Sequence, residues 1–285
     1  MILCNQNCIE YLEVKTIKYM FWNLYKKNLI GPLIQIILEN DVDIVALVET
    51  EKLDVQGVIN ALKLQNQEWK ILEICPEADI RVLAKRHIPM SVYKEDKRYA
   101  VYKIFEGEET YLLSVLHLSS PMYLEEYARD QRAVNISRVL RKIEESIFED
   151  SECKSIVVGD FNLQPYSLGI SSVHGFNATM SITKAKKKFR KVEDETKLFY
   201  FNPTWKLMGD NKIVQGTYYN NGDQQEKSIF WYSFDELLIR PYFIDRFDWD
   251  YFGIIEKANN YNFINNAKID KSNYSDHLPI KFEIR

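Results

Sequence analysis

Apolar residues along this chain recur with two different periods, and the changes of period divide it into elements. Alternation with period two marks strands, because successive side chains on a strand point to opposite faces. It runs through IKYMFWNLY (17–25), DIVALVET (43–50), 98–105, 110–118, SIVVGDFN (155–162), IFWYSFDELLI (229–239) and DHLPIKFEI (276–284), with shorter pieces near 69–75 and 80–84. Helical patterns fall between some of them: PLIQIILEN (32–40), with a proline in its first turn, a second at about 54–65, and the longest at about 123–148. On that longest helix Leu124, Tyr127, Val134, Val139, Leu140, Ile143 and Ile147 form an apolar stripe, and Arg129, Arg132, Arg138 and Arg141 are expected to face solvent. EGEE (106–109) reads as a hairpin turn, and regularity fades from the end of the 155–162 strand to about residue 228. Strands joined sometimes by helices and sometimes by hairpins predict a mixed sheet or, better for this number of strands, two packed sheets with helices outside.

Several of these apolar rows end in a polar group. Asn23 shares a face with Ile17, Tyr19 and Phe21, and Glu49 shares one with Val45 and Leu47. His117 continues the row of Leu113 and Val115, while Asp160 and Asn162 continue that of Ile156 and Val158. Asp235 lies in the row of Trp231, Leu237 and Ile239, where a carboxylate is costly unless a partner meets it, and histidine is the natural partner. The last strand opens with Ser275-Asp276-His277. If the strands lie side by side, these groups form one cluster over the sheet edges. Asparagine, glutamate and aspartate are hard oxygen ligands that suit Mg2+ or Mn2+, and two histidines among them add proton transfer near neutral pH. The chemistry suggested is metal-assisted phosphoester hydrolysis. A lone Asp-x-Asn after a strand is ordinarily a turn cap, so the inference rests on the company it keeps. His87 and His174 fit no such row and are read as structural.

Composition changes this picture little. The 285 residues are 46% hydrophobic, enough for one core and hence a single domain over 1–285. A net charge of -4 gives no long-range positive field for nucleic acid, although a site can supply positive charge locally. The one basic run, TKAKKKFRK (183–191), offers Lys186, Lys187, Lys188 and Arg190 as candidate contacts to a phosphate backbone; such a run is also the usual make-up of a solvated loop. Cys4, Cys8, Cys75 and Cys153 show no CxxC or zinc spacing and are read as free thiols in a reducing compartment. No run of eighteen apolar residues and no signal-peptide core is seen, so a soluble cytoplasmic protein without a membrane partner is expected.

The segments FWNL, VALVET, VLHLSS, VVGDFNLQP, FDELLIR and YSDHLPI, in that order across residues 19–284, resemble the endonuclease/exonuclease/phosphatase superfamily of DNase I-like proteins. Gly-Asp-Phe-Asn and Ser-Asp-His are the most specific pieces. The resemblance implies an α/β four-layer sandwich, two mixed sheets flanked by helices, with the site at one end. It further implies that Asn23, Glu49 and Asp276 hold Mg2+ (or Mn2+), and that Asp160 orients or deprotonates the attacking water with Asn162 beside it. His277 would stabilise the phosphoryl group, Asp235 would orient that histidine, and His117 would lie near the leaving oxygen. A nuclease acting on DNA or RNA is the first expectation. The alternatives are a phosphatase or phospholipase-like hydrolase, or a catalytically inactive scaffold. The segment Ser233-Phe234-Asp235-Glu236 departs from the Arg-Ile-Asp-Tyr form of abasic-site endonucleases. FYFNPTWKLMGD (199–210) and GTYY (216–219) resemble a less characterised bacterial branch.

Overall fold

A computed structural model describes residues 16–72, 79–120, 124–149, 152–209, 213–222 and 228–285. Strand β1 (Ile17–Asn23), helix α1 (Ile30–Glu39) and strand β2 (Ile44–Val48) open the chain, with β1 and β2 parallel and Asn23 opposite Val48. Pro32 sits in the first turn of α1, where a missing N–H costs nothing. Helix α2 (Val55–Leu64) is capped by Asp54, whose carboxylate accepts the Gly57 N–H at 2.9 Å. Strands β3 (Trp69–Leu72) and β4 (Arg81–Lys85) pair antiparallel. Strands β5 (Met90–Asp96), β6 (Tyr99–Glu106) and β7 (Glu109–His117) form a meander whose second turn, the expected EGEE, places Gly107 at φ +59.

Helix α3 (Glu126–Phe148) then returns the chain to β8 (Ser155–Asp160), parallel to β7. Short pieces follow: α4 (Leu168–Ser171), β9 (Ala178–Thr179), α5 (Ile182–Ala185), the hairpin β10 (Phe189–Val192) and β11 (Glu195–Leu198), then β12 (Tyr200–Phe201). A second hairpin, β13 (Tyr218–Tyr219) with β14 (Trp231–Tyr232), precedes β15 (Asp235–Ile239), antiparallel to β8. Strand β16 (Gly253–Ile254) and two tiny hairpins, β17 (Lys257–Ala258) with β18 (Tyr261–Asn262) and β19 (Ile264–Asn265) with β20 (Lys268–Ile269), lead to β21 (Ile280–Ile284), antiparallel to β1.

Two large sheets result, ordered β16-β21-β1-β2-β4-β3 and β5-β6-β7-β8-β15-β12-β9. Both faces of each sheet are buried along the central strands, which is why those strands read as almost continuous apolar runs. Tyr19, Phe21, Ala46 and Val48 of the first sheet and Tyr102, Val115, Val158 and Leu237 of the second share the core between the sheets. Met20, Trp22, Val45 and Leu47 face α1 and α2 on the other side of the first sheet. Leu112, Leu116, Val157 and Leu238 meet Ala133, Leu140 and Ile143 of α3 on the outer side of the second. The layers are therefore helix, sheet, sheet, helix, the expected four-layer sandwich.

Three expectations are corrected. The run 229–239 is two strands rather than one: Phe230 has φ +62, β14 pairs in its own hairpin, and Trp231 joins the helix-side core of the first sheet instead of the Asp235 row. On α3 the buried face is Asp130, Ala133, Val134, Ser137, Leu140, Ile143, Glu144 and Phe148, while Tyr127 is 73% exposed. Asp130 and Glu144 can occupy that face because each has a partner: Asp130 accepts the Gly169 N–H at 2.7 Å and Glu144 pairs with Arg240. The final strand begins at Ile280, after Pro279, which has no N–H to give a ladder. Cys153 is a half-buried free thiol whose pKa burial pushes up; Cys4, Cys8 and Cys75 lie outside the described residues. Among the described residues no helix is long and apolar enough to cross a membrane.

Candidate active site

The C-terminal ends of β1, β2, β7 and β8 and the N-terminal ends of β15 and β21 meet at one end of the sandwich, because the last two strands run antiparallel to β8 and β1. In the second sheet His117, Asp160 and Asp235 stand side by side in register. They continue the inner row of Val115, Val158 and Leu237, as the alternation predicted. Gly159 lets β7 and β8 approach here: a Cβ on it would lie 2.2 Å from the Leu116 carbonyl oxygen. In the first sheet Asn23 ends the inner row of Tyr19 and Phe21.

Glu49 reaches the site by a different route from the one the pattern implied. Its alternation partners Val45 and Leu47 face the helices, so continuation of β2 would carry Glu49 to the wrong side. The strand stops at Val48, and Glu49 adopts φ +52, a left-handed conformation uncommon for a long side chain. The Lys26 N–H holds the Glu49 carbonyl at 3.0 Å and fixes the turn. Asn162 likewise lies past the end of its strand at φ +51; its N–H donates to Asp160 Oδ1 at 2.9 Å and its Nδ2 to the Leu118 carbonyl at 3.0 Å.

His277 is the hub. Its Nδ1 lies 2.8 Å from Asp235 Oδ2 and its Nε2 lies 3.9 Å from Asp160 Oδ2. Asn23 Nδ2 donates to that same Asp160 oxygen at 3.0 Å. The segment carrying the histidine is tied to β1 by two hydrogen bonds, the Trp22 indole to the His277 carbonyl (2.9 Å) and the Ser275 hydroxyl to the Asn23 carbonyl (2.6 Å), and is held in shape by a third, the His277 N–H to Ser275 Oγ (3.0 Å). Tyr218 packs its ring 5.0 Å from that of His277. On the other side, His117 lies 3.5 Å from Glu49 and 3.3 Å from Asp79.

Burial disfavours charge on both rings, but the surrounding carboxylates win. Asp235 and Asp160 lift His277 to about 10, and Asp79 and Glu49 lift His117 to about 9, so both are cations at neutral pH. Burial raises Asp160 to about 6, with His277 pulling down and Asp235 pushing up. Burial also raises Asp276, whereas the His117 contact outweighs burial and holds Glu49 below its ordinary value.

These groups line a cavity of about 950 Å3 together with Lys26, Arg98, Arg129, Tyr166, Tyr218 and Tyr232. All eight residues expected to be catalytic or metal-binding contribute to the cluster, with Asn23 and Asp235 standing just behind the cavity wall. Lys186, Lys187, Lys188 and Arg190 do not line it. Lys186 pairs with Asp245 (2.5 Å) and Lys188 with Glu152 (2.7 Å). Arg129 was expected in solvent but is half-buried at the cavity wall, where it donates to the Asn162 carbonyl. Asp79 and Arg98 were missed, and strand register could have found both. Extending the antiparallel β2–β4 pairing sets Asp79 opposite Glu49, and counting back from the EGEE turn sets Arg98 opposite His117, whose N–H donates to the Arg98 carbonyl at 3.0 Å.

The donor chemistry fits a divalent cation. Glu49 and Asp276 face the cavity as like charges that raise each other's cost of ionisation, a repulsion that a bound dication relieves. Asp160, Asp235 and His277 also offer atoms within 4.8 Å of one another. A histidine held as a cation has no lone pair to give, however, so the Glu49 and Asp276 side suits a metal better.

No family model and no curated protein matches the sequence. Solved structures match by shape. A truncated Caenorhabditis elegans TDP2 is similar at TM-score 0.55 and 17% identity, over 94% of this chain and 97% of that one. D. rerio TDP2, in complex with a single strand DNA product, is similar at TM-score 0.53 and 14% identity over 95% and 99%. An endonuclease/exonuclease/phosphatase family protein from Bacteroides thetaiotaomicron is similar at TM-score 0.55 and 12% identity over 95% and 98%. The likeness is one of fold: this chain shares with these proteins, among them an endonuclease/exonuclease/phosphatase family protein, a DNase I-like four-layer sandwich.

Proposed function

We propose that this protein is a divalent-metal-dependent phosphodiesterase, a nuclease that hydrolyses DNA or RNA by in-line attack of water. The observation that carries this reading is the chain Asp235–His277–Asp160, closed at 2.8 Å and 3.9 Å on the floor of a cavity that also presents Lys26, Arg98 and Arg129. Carboxylates alone would repel a phosphodiester; the cations around them make the cavity hospitable to one.

Glu49 and Asp276, with Asn23 beside them, would hold Mg2+ or Mn2+, which when bound supplies a Lewis acid to a phosphoryl oxygen. Asp160 is fixed by the Asn23 amide and the Asn162 N–H and orients and deprotonates the water. His277, braced by Asp235, sets a positive charge where the phosphoryl oxygens gather negative charge. His117, held between Glu49 and Asp79, faces the leaving oxygen. The single strand DNA product bound by D. rerio TDP2 and the TM-score of 0.52 to the endonuclease domain of TRAS1 support nucleic acid as the substrate.

The test is one panel of DNA, RNA, phosphoinositide and sphingomyelin with Mg2+ or Mn2+, with and without EDTA. Nucleic acid cleavage that EDTA abolishes is expected, and Asp160→Ala and His277→Ala should each lower it by about 10²–10⁴-fold with unchanged circular dichroism. Full turnover in either variant overturns the assignment, and cleavage of lipid alone overturns the nuclease reading.

A further inference from the structure

Two sets of cations stand out within the basic run 183–191. Lys186 and Lys188 are spent on Asp245 and Glu152. Lys184, Lys187 and Arg190 have no carboxylate partner among the described residues, and they converge on one groove with Pro165, Phe189 and Trp205. The Arg190 Nε is buried without a hydrogen-bond acceptor, and its guanidinium lies 5.6 Å from the Phe199 ring centre.

This groove adjoins the active-site cavity. The loop after β8 is their common wall: Gln164, Tyr166 and Ser167 face the cavity while Pro165 faces the groove. The Tyr166 ring, 50% exposed, meets the Trp205 ring at 6.1 Å, so an aromatic ridge joins the two depressions. Met180 and Phe189 on the groove wall are 61% and 45% exposed, an unusual outlay of large apolar surface beside free cations.

We propose that this groove is a track for single-stranded nucleic acid, holding the strand that continues beyond the reacting phosphate; the inference rests on the phosphodiesterase reading above. Cations spaced along a channel neutralise successive phosphates, and aromatic faces beside them accept unstacked bases of any sequence. A duplex offers no free base faces to Tyr166, Trp205 or Phe189. A lipid surface is flat and cannot enter a concave channel, which favours a strand over a bilayer as the occupant. The short, irregular pieces between β8 and β13 thereby gain a purpose beyond covering the sheet.

The test uses fluorescein-labelled thymidine oligomers of three and fifteen nucleotides, with anisotropy read in EDTA so that binding is measured apart from cleavage. The native protein should hold the 15-mer at least about tenfold more tightly than the 3-mer, with binding that weakens as salt rises. Lys184→Glu/Lys187→Glu, at two exposed positions, should abolish that length preference and flatten the salt dependence; Phe189→Ala and Trp205→Ala should weaken the 15-mer without changing the salt slope. Equal affinity for both lengths in the native protein, or a length preference that survives the double charge reversal, overturns the track. Binding of the charge-reversal-sensitive kind to anionic phosphatidylserine vesicles but not to oligomers overturns it as well. Hydrolysis of bis(p-nitrophenyl) phosphate by the native protein with Mn2+ is measured in parallel: its absence sinks the hydrolase reading whatever the anisotropy shows, and its presence beside length-independent binding sinks the track alone.

Discussion

Strand β15 carries a buried charge at each end, and the two fare differently. Asp235 opens the strand on its inner face. Arg240 follows its last residue on the outer face, beneath α3, where it donates to Glu144 Oε1 through Nε at 3.0 Å, to Glu144 Oε2 through Nη2 and to the Phe199 carbonyl at 3.0 Å. The Tyr200 hydroxyl adds a bond to Glu144 at 2.6 Å, and its ring lies 3.6 Å from the guanidinium. That rear cluster balances one cation against one anion, and Arg240, Glu144 and Tyr200 line neither the active-site cavity nor the groove beside it. The front cluster crowds Asp160, Asp235 and Asp276 around one ring, leaves Asp235 Oδ1 without a hydrogen bond, and stands at a cavity. Buried charge by itself therefore does not mark chemistry; an unbalanced set exposed to a space that a substrate can enter does.

The largest effect that could break this contrast comes from Arg240→Ala. It strands the Glu144 carboxylate in the core and should cost about 3–5 kcal/mol of stability, read by urea unfolding. A loss below about 1 kcal/mol would mean that the rear pair is not structural. Asp235→Asn should behave in the opposite way. Its stability should shift by less than about 1 kcal/mol, while turnover falls by about 10²-fold because the His277 ring loses its brace and part of its charge. Equal stability losses in the two variants would erase the distinction.

The smallest effect is a pH dependence. Burial raises the Glu144 pKa, but Arg240 outweighs it and holds the carboxyl below its ordinary value. Its contribution to stability is therefore complete above the unfolded value of about 4.3 and is lost as pH falls through the lower folded value. Melting temperature followed below about pH 4.3 should fall less steeply in Glu144→Gln than in the native protein. Parallel curves would remove Glu144 as the source of that acid sensitivity.

The strands that carry the front cluster were legible because apolar alternation ends in Asn23, His117 and Asp160 on the face it predicts. The layers were legible for the same reason, since strands buried on both sides read as unbroken apolar runs. Glu49 lies in the cluster where it was expected but not by way of the row assigned to it, because a single left-handed residue overrides a period of two. The rear pair was not legible at all. Glu144 and Arg240 are 96 positions apart in sequence, and each looks like an ordinary exposed charge until the helix is laid on the sheet. Arg129 was misjudged on similar grounds, as one of four arginines whose helix face depends on what α3 packs against.

The hydrogen bond from Trp22 to the His277 carbonyl spans 255 positions, so the first strand and the approach to the last are stitched together at the cavity end of the sandwich. A chain cut before Ser275 would keep Glu49, just past β2, and Asp160 of β8 without the imidazole that faces them. Such a piece would leave the carboxylates of the front cluster unanswered and, on the hydrolase reading proposed above, should be inert.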